Sequence, residues 1–131
     1  MTARTIFYRF NVNTSNYEYA GEIDWGLHQS MVTFGTAEPR SIREMRQAKT
    51  PGKSQSRRFT WNGHQYKWKR GEAQNDLQCF TVPMLGAGKL VASFEGSSQT
   101  LTVEARARED VIDQIVVLCV VHLFLISAGK W

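Results

Sequence analysis

Residues 111–128 read VIDQIVVLCVVHLFLISA, and this segment decides how the rest of the chain must fold. Between positions 115 and 126 every residue except His122 is apolar. A helix built from it has no polar face to turn towards water, so it must be buried in protein or in lipid. The flanks are those of a helix over about residues 110–128. Glu109 and Asp110 precede it, where carboxylates suit the positive end of the helix dipole and Asp110 can cap free N–H groups. Gly129 and Lys130 follow, and glycine is the residue that takes the left-handed position beyond a helix end.

The uninterrupted apolar run is short of the ~20 residues that a bilayer requires. Extending it brings in Asp113 and Gln114, and an acid near a bilayer centre costs ~2.5–3.5 kcal/mol. The segment therefore reads as a core helix and not as a transmembrane segment. Burying about ten such side chains is worth roughly 15–30 kcal/mol gross, at ~1.5–3 kcal/mol each. Only a surrounding shell collects that in full, so the preceding residues are expected to wrap around this one element.

Working outward, 131 residues suit one compact domain, residues 1–131, and the 42% hydrophobic content supports a core. Residues 1–20 mix polar and aromatic side chains, unlike the charged-then-apolar pattern of a signal peptide, so the expected address is cytoplasmic. Strands are expected at 5–10 (TIFYRF), 17–25 (YEYAGEIDW), 31–36 (MVTFGT), 77–82, 89–94 (KLVASF) and 99–105. In the second, Tyr17, Tyr19, Gly21, Ile23 and Trp25 alternate onto one face, with Gly21 at a bend or bulge. In the last two, Leu90, Ala92 and Phe94, then Leu101, Val103 and Ala105, make the inward sets.

The sharpest local signal is FTWNGHQYKWKR, residues 59–70. Asn62-Gly63 favours a two-residue type I′ turn, which pairs Trp61 with His64 and Phe59 with Tyr66. Phe59, Trp61, His64, Tyr66 and Trp68 then share an inward face, opposite Thr60, Gln65, Lys67 and Lys69. A nucleic-acid reader exposes its aromatics among its basic residues, and this alternation separates them, which argues against nucleic acid as the partner. Short antiparallel strands followed by one apolar helix point to a mainly β fold, a β-barrel closed around the C-terminal helix.

The pieces GEIDW (21–25), NGHQYKWKR (62–70), KLVASFEG (89–96) and VIDQIVVLCVV (111–121) resemble an uncharacterised domain family of mushroom-forming fungi. That family looks related to the tubby-like and scramblase-like C-terminal domains, which implies a β-barrel threaded by a hydrophobic helix. Tubby-like barrels carry more strands than this sequence declares, and the segment 37–58 is where additional ones would have to lie. Tubby relatives bind phosphoinositides; none of their lipid-contacting residues can be matched to positions here. The family brings no agreed activity with it.

Catalytic chemistry is weakly signalled. Cys119 and His122 share a helix face, but inside an apolar helix they read as a buried thiol and a satisfied core histidine. Asp113 reads as a first-turn cap or a partner for Arg106 or Arg108. Gly86-Ala87-Gly88-Lys89 lacks the Ser/Thr of a phosphate loop and leads into a strand, so it reads as a turn. Two cysteines and three scattered histidines suggest no metal site, and no cofactor is expected. Charge is the functional clue. Arg40, Arg43, Arg46, Lys49, Lys53, Arg57 and Arg58 face only Glu44 over residues 40–58, a local +6 in a chain whose total is +4. The arginines at 40, 43 and 46 fall on one side if that piece is helical, and the segment is expected to be exposed. Lys67, Lys69 and Arg70 on the outer hairpin face extend the patch. The expected function is a non-enzymatic binding module for anionic ligands such as phosphoinositide or anionic lipid headgroups, peripheral at a membrane. An acidic protein partner, in an interaction or self-assembly module, is the alternative.

Overall fold

The computed structural model describes residues 3–26, 28–48 and 55–131. It is mainly β, with two antiparallel sheets and one C-terminal helix. Two compact units divide the chain, Met1–Glu44 and Met45–Trp131.

The first unit is a meander of β1 (Ala3–Asn11), β2 (Asn16–Trp25), β3 (Met31–Phe34) and β4 (Arg40–Ser41), paired in that order. Its buried side chains include Ile23, Val32 and Phe34. β1 and β2 are joined through Asn11, whose Oδ1 accepts from the N–H of Asn13 at 2.9 Å. The expected bulge is present: pairing steps from Phe7↔Gly21 to Tyr8↔Tyr19 and leaves Ala20 unpaired. Gly21 is required there, because a Cβ would stand 2.5 Å from the Thr33 carbonyl oxygen. The bulge corrects the face assignment. Cross-strand partners share a face, so Tyr17 and Tyr19 go with Phe10 and Tyr8, away from Gly21 and Ile23. Tyr17 is 73% exposed and Tyr8 60%, and Phe10 packs on Tyr17 with ring centroids 5.2 Å apart. β3 pairs only with residues 21–24 of β2, so this aromatic face belongs to a two-stranded ribbon running past the rest of its sheet.

The second unit holds β5 (Ser56–Trp61), β6 (His64–Arg70), β7 (Leu77–Thr81), β8 (Leu90–Glu95) and β9 (Thr100–Val103), again paired in chain order. A 3-10 turn (Glu109–Val111) leads into α1 (Ile112–Ser127). The β5–β6 hairpin is as expected: Asn62 and Gly63 have φ of 49° and 77°, the type I′ signature, with Trp61 opposite His64. Burial along its inward face fades towards the turn. Phe59, Tyr66 and Trp68 are buried, Trp61 is half-buried and His64 is exposed. A second bulge, between Cys79 and Phe80 on β7, sets Val91 out of register on β8. Val91 and Ala92 are therefore the buried pair, in place of an even Leu90–Ala92–Phe94 series.

The helix ends in a full Schellman motif. Lys130 N–H donates to Leu125 O at 2.7 Å, Gly129 N–H donates to Ile126 O at 3.0 Å, and Gly129 has φ of +69°. Asp110 does not cap it, since neither helical start carries a side-chain cap; its carboxylate instead accepts from Asn62 Nδ2 at 2.7 Å and Arg108 Nε at 3.1 Å. Ile115, Val117, Leu118 and Val121 are buried, with Trp68 of β6 against His122 at 5.4 Å between ring centroids.

One expectation is met only in part, and another is corrected. No closed barrel is found among the described residues: β5 to β9 pair in chain order as a five-stranded sheet, and β5 is bridged on its other edge by Gln47. Nor is the helix enclosed all round. Val116, Val120 and Phe124 recur at four-residue spacing and stay exposed, Phe124 to 51%. One sheet covers one side of a helix, so a helix apolar all round keeps an apolar stripe outside. Residues 37–58 also contain more structure than their composition announces: β4, the 3-10 turn Glu44–Arg46, and the start of β5.

Candidate functional site

The register of β5 and β6 carries charge into the interior of the second unit. Arg57 lies opposite Trp68, and cross-strand partners point the same way, so Arg57 shares the face of Phe59, Tyr66 and Trp68. Arg70 stands two residues beyond Trp68 on β6 and returns to that same face. The third arginine comes from the 3-10 turn. Met45 is fully buried and anchors it, and main-chain bonds between Gln47 and Arg58, at 2.9 and 2.7 Å, tie the following residue to β5.

All three arginines converge on Trp131, which follows the helix end. Their guanidinium carbons lie 5.3 Å (Arg46), 5.1 Å (Arg57) and 5.7 Å (Arg70) from its ring centroid. Arg57 Nη2 also donates to the Trp131 main-chain oxygen at 2.9 Å, and Arg70 donates to the Gln74 carbonyl. His122, with no exposed surface, packs on Trp131 at 4.8 Å between centroids and accepts from Arg46 Nε through Nδ1 at 3.0 Å. Stacking of guanidinium on indole is favourable. Gathering three cations in a half-buried place is not.

The protonation states follow. Burial, with Arg57 nearby, brings Arg46 down to about 10, so it keeps its charge at neutral pH. Burial and then the charges of Arg46 and Arg57 hold His122 well below the ordinary histidine value, so its imidazole is neutral. Since Nδ1 accepts, the single ring proton sits on Nε2. That Nε2–H has no partner, and neither do Arg46 Nη2, Trp68 Nε1, Arg70 Nε and Trp131 Nε1. Every one of these groups is a donor. An unsatisfied buried donor costs ~1–3 kcal/mol, so five together are a strong demand for an acceptor.

The ten candidate cations are thus sorted. Arg46, Arg57 and Arg70 meet. Arg40 pairs with Glu44 at 3.7 Å, and it and Arg43 belong to the first unit. Only residues 44–46 form a helical turn, so no helix face aligns the arginines at 40, 43 and 46. The segment is not exposed throughout: Ser41, Ile42 and Met45 are buried, and Arg46, Arg57 and Arg58 are half-buried. Lys49 and Lys53 lie outside the described residues. Arg58 points away from Arg57, as alternation requires. Lys67 is half-buried, and exposed Lys69 has its ammonium 5.7 Å from the Phe80 ring centroid. Arg70 belongs to the inner face, not the outer. Sequence reading missed His122, Trp68 and Trp131 as members. The signal for Arg57 and Arg70 was present, because period-two counting from Trp68 puts both on its side.

Over residues 1–123 the sequence matches a family of unknown function, DUF6593. The chain belongs to that family. No curated protein matches it, and no solved structure does. Trp131 lies beyond the matched span of DUF6593, whereas the three arginines and His122 lie within it.

Two other surfaces stand out. The aromatic ribbon of β1–β2 is one. The other is the turn between β7 and β8, where Met84 is fully exposed and Leu85 90% exposed. As expected, Gly86-Ala87-Gly88-Lys89 is part of this turn and leads into a strand. Cys79 and Cys119 are free thiols, both buried; burial pushes Cys119 up to about 12 and raises Cys79 as well. With His122 engaged by Arg46, Cys119 lacks the base that a nucleophilic thiol needs.

Proposed function

We propose that this chain is a non-enzymatic cytoplasmic binding module that recognises an anionic ligand, such as the phosphorylated headgroup of a phosphoinositide or another anionic lipid. One observation carries the reading: Arg46, Arg57 and Arg70 are drawn onto a single indole, inside a cluster whose unpartnered groups are all donors. A tubby-like barrel and a fungal origin belong to the same proposal; an apolar C-terminal helix behind antiparallel strands supports the first. Co-sedimentation with phosphoinositide-containing vesicles at low salt tests the function. Arg57→Glu with Arg70→Glu is expected to abolish sedimentation, and Arg40→Glu with Arg43→Glu to leave most of it. Equal behaviour of the two double variants would remove the cluster from the reading.

The β1–β2 ribbon favours a second reading, a protein-interaction or self-assembly module. Its exposed aromatic face, with Tyr8, Phe10, Tyr17 and Tyr19, is the kind of contiguous apolar patch that marks an interaction site. Light scattering of wild type against Tyr8→Lys/Tyr17→Lys decides this: a mass that falls on substitution supports self-assembly, and a monomer in both cases removes it.

A further inference from the structure

Resting on the binding-module reading, we infer that the arginine cluster is a site for a phosphate-class oxyanion, held by ring N–H groups of His122 and Trp131 as well as by the charges of Arg46, Arg57 and Arg70. Five side-chain groups in mutual contact around His122 and Trp131 have no partner, and all five are N–H donors. Among the described residues no carboxylate pairs with Arg46: its contacts are the His122 ring, the Trp131 ring and the like charge of Arg57. A structural cluster of arginines is ordinarily knit together by Asp or Glu. Here Arg46 is held by aromatic rings and a neutral imidazole, while Arg57 and Arg70 donate to the main-chain oxygens of Ser56, Trp131 and Gln74.

Burial decides what kind of anion fits. His122 and Trp68 have no exposed surface, while Arg46, Arg57, Arg70 and Trp131 are half-buried. A flat anionic surface reaches the rim and not the base. A single group that inserts between the arginines reaches both. A lone carboxylate is matched by one guanidinium fork. Unpartnered donors from two arginines, one imidazole and two indoles suit a tetrahedral group with several acceptor oxygens, a phosphate monoester or free phosphate. The neighbouring cavity of about 530 Å³, which Arg70 also lines, is a poor alternative, because Glu72, Asp76 and Glu95 face it.

His122 has a definite part. Its Nδ1 is occupied by Arg46 Nε, so the ring turns its one proton, on Nε2, to the ligand as a neutral donor. The same bond orients the Arg46 guanidinium, leaving Nη2 free to donate beside it. His122 is thus a binding residue and an orienting one. His122→Phe keeps the ring volume and loses both functions.

The indole N–H signals give a direct test by two-dimensional NMR of the full chain. Trp25 is the internal control, because its Nε1–H is already bonded to Thr5 Oγ1 at 2.9 Å. Titration with inorganic phosphate is expected to shift the Trp131 and Trp68 indole signals and the His122 Nε2 resonance, saturably, with Trp25 unmoved. Chloride at equal ionic strength is expected to leave all of them in place. A soluble inositol phosphate and phosphoinositide vesicles form two further arms: equal affinity for phosphate and inositol phosphate indicates a free anion as the natural ligand, and much tighter binding of the inositol phosphate or vesicles indicates a headgroup. His122→Phe and, separately, Arg70→Gln at the half-buried rim are each expected to weaken phosphate binding at least tenfold. Vesicle sedimentation without any shift at Trp131, Trp68 or His122 would overturn the oxyanion site and leave surface binding standing. Absence of both would overturn the two readings together. Shifts that chloride reproduces would reduce the effect to screening and also overturn the site.

Discussion

Lowering the pH from 7.5 to 5.5 should destabilise this protein through His122, by an amount that can be worked out in advance. The folded state holds the imidazole neutral, because the ring has no exposed surface and faces the charges of Arg46 and Arg57. The unfolded chain titrates normally, near 6.5. Below that pH the unfolded state binds a proton that the folded state refuses, so the free energy of unfolding falls as pH falls. The contribution is fully present above about pH 6.5 and is lost below it. One unit below the unfolded value the loss is ~1.4 kcal/mol, and it deepens by about the same amount for each further unit until the folded pKa is reached. For a chain of this size ~1.4 kcal/mol corresponds to roughly 5 °C in melting temperature. The assay is thermal or urea unfolding of wild type and His122→Gln at both pH values. The glutamine offers Arg46 an acceptor and does not titrate, so the variant is expected to lose most of the pH dependence. Stopping at pH 5.5 keeps the carboxylates largely out of the comparison. Parallel pH profiles for the two proteins would refute the reasoning, and so would a wild type that gains stability on acidification.

Other outcomes follow from burial and backbone geometry. Leu118→Asp or Val117→Asp places an unpaired charge where there is essentially no exposed surface, at a cost of several kcal/mol, and is expected to abolish soluble expression; recovery of a folded variant would contradict the placement of α1. Gly63→Val is expected to cost ~1–3 kcal/mol in urea unfolding through strain at φ +77°, since a Cβ there meets nothing within 4 Å; Gly63→Asn, which tolerates that conformation, should recover much of the loss. Gly21→Ala should cost comparably for a different reason, the 2.5 Å approach to the Thr33 carbonyl, and no residue choice should rescue it.

The sequence made some elements legible and hid others for identifiable reasons. Asn62-Gly63 dictates its own turn, and the turn dictates the register of β5 and β6, so pairing and faces could be read to the residue. The apolar run of α1 and the glycine behind it set the helix and its end. What could not be read was how completely the helix would be covered, because composition records the need for burial and not its supply; Val116, Val120 and Phe124 show the difference. The bulges at Ala20 and Val91 were legible only in part. Gly21 hinted at the first, but a one-residue slip leaves the alternation on either side intact while reversing which face is inward. The candidate site suffered from counting charge along the chain. Residues 40–58 looked like one basic patch, whereas strand alternation sends Arg57 and Arg58 to opposite faces, and the site is completed by Arg70, His122 and Trp131 from far along the sequence.

The two buried thiols have a kinetic consequence. Cys79 has no exposed surface and Cys119 almost none, and burial raises both well above the pH at which alkylating reagents work. Neither can react from the native state, so a reagent such as iodoacetamide must wait for the sheet and helix to part. Because Cys79 sits on β7 and Cys119 on α1, they report the opening of that one layer from its two sides. Equal labelling rates would mean that helix and sheet separate only in a concerted event. Faster labelling of Cys119 would mean that the helix, with its uncovered stripe, lifts off first. The half-life of those thiols under mild alkylation thus measures how long the core stays shut.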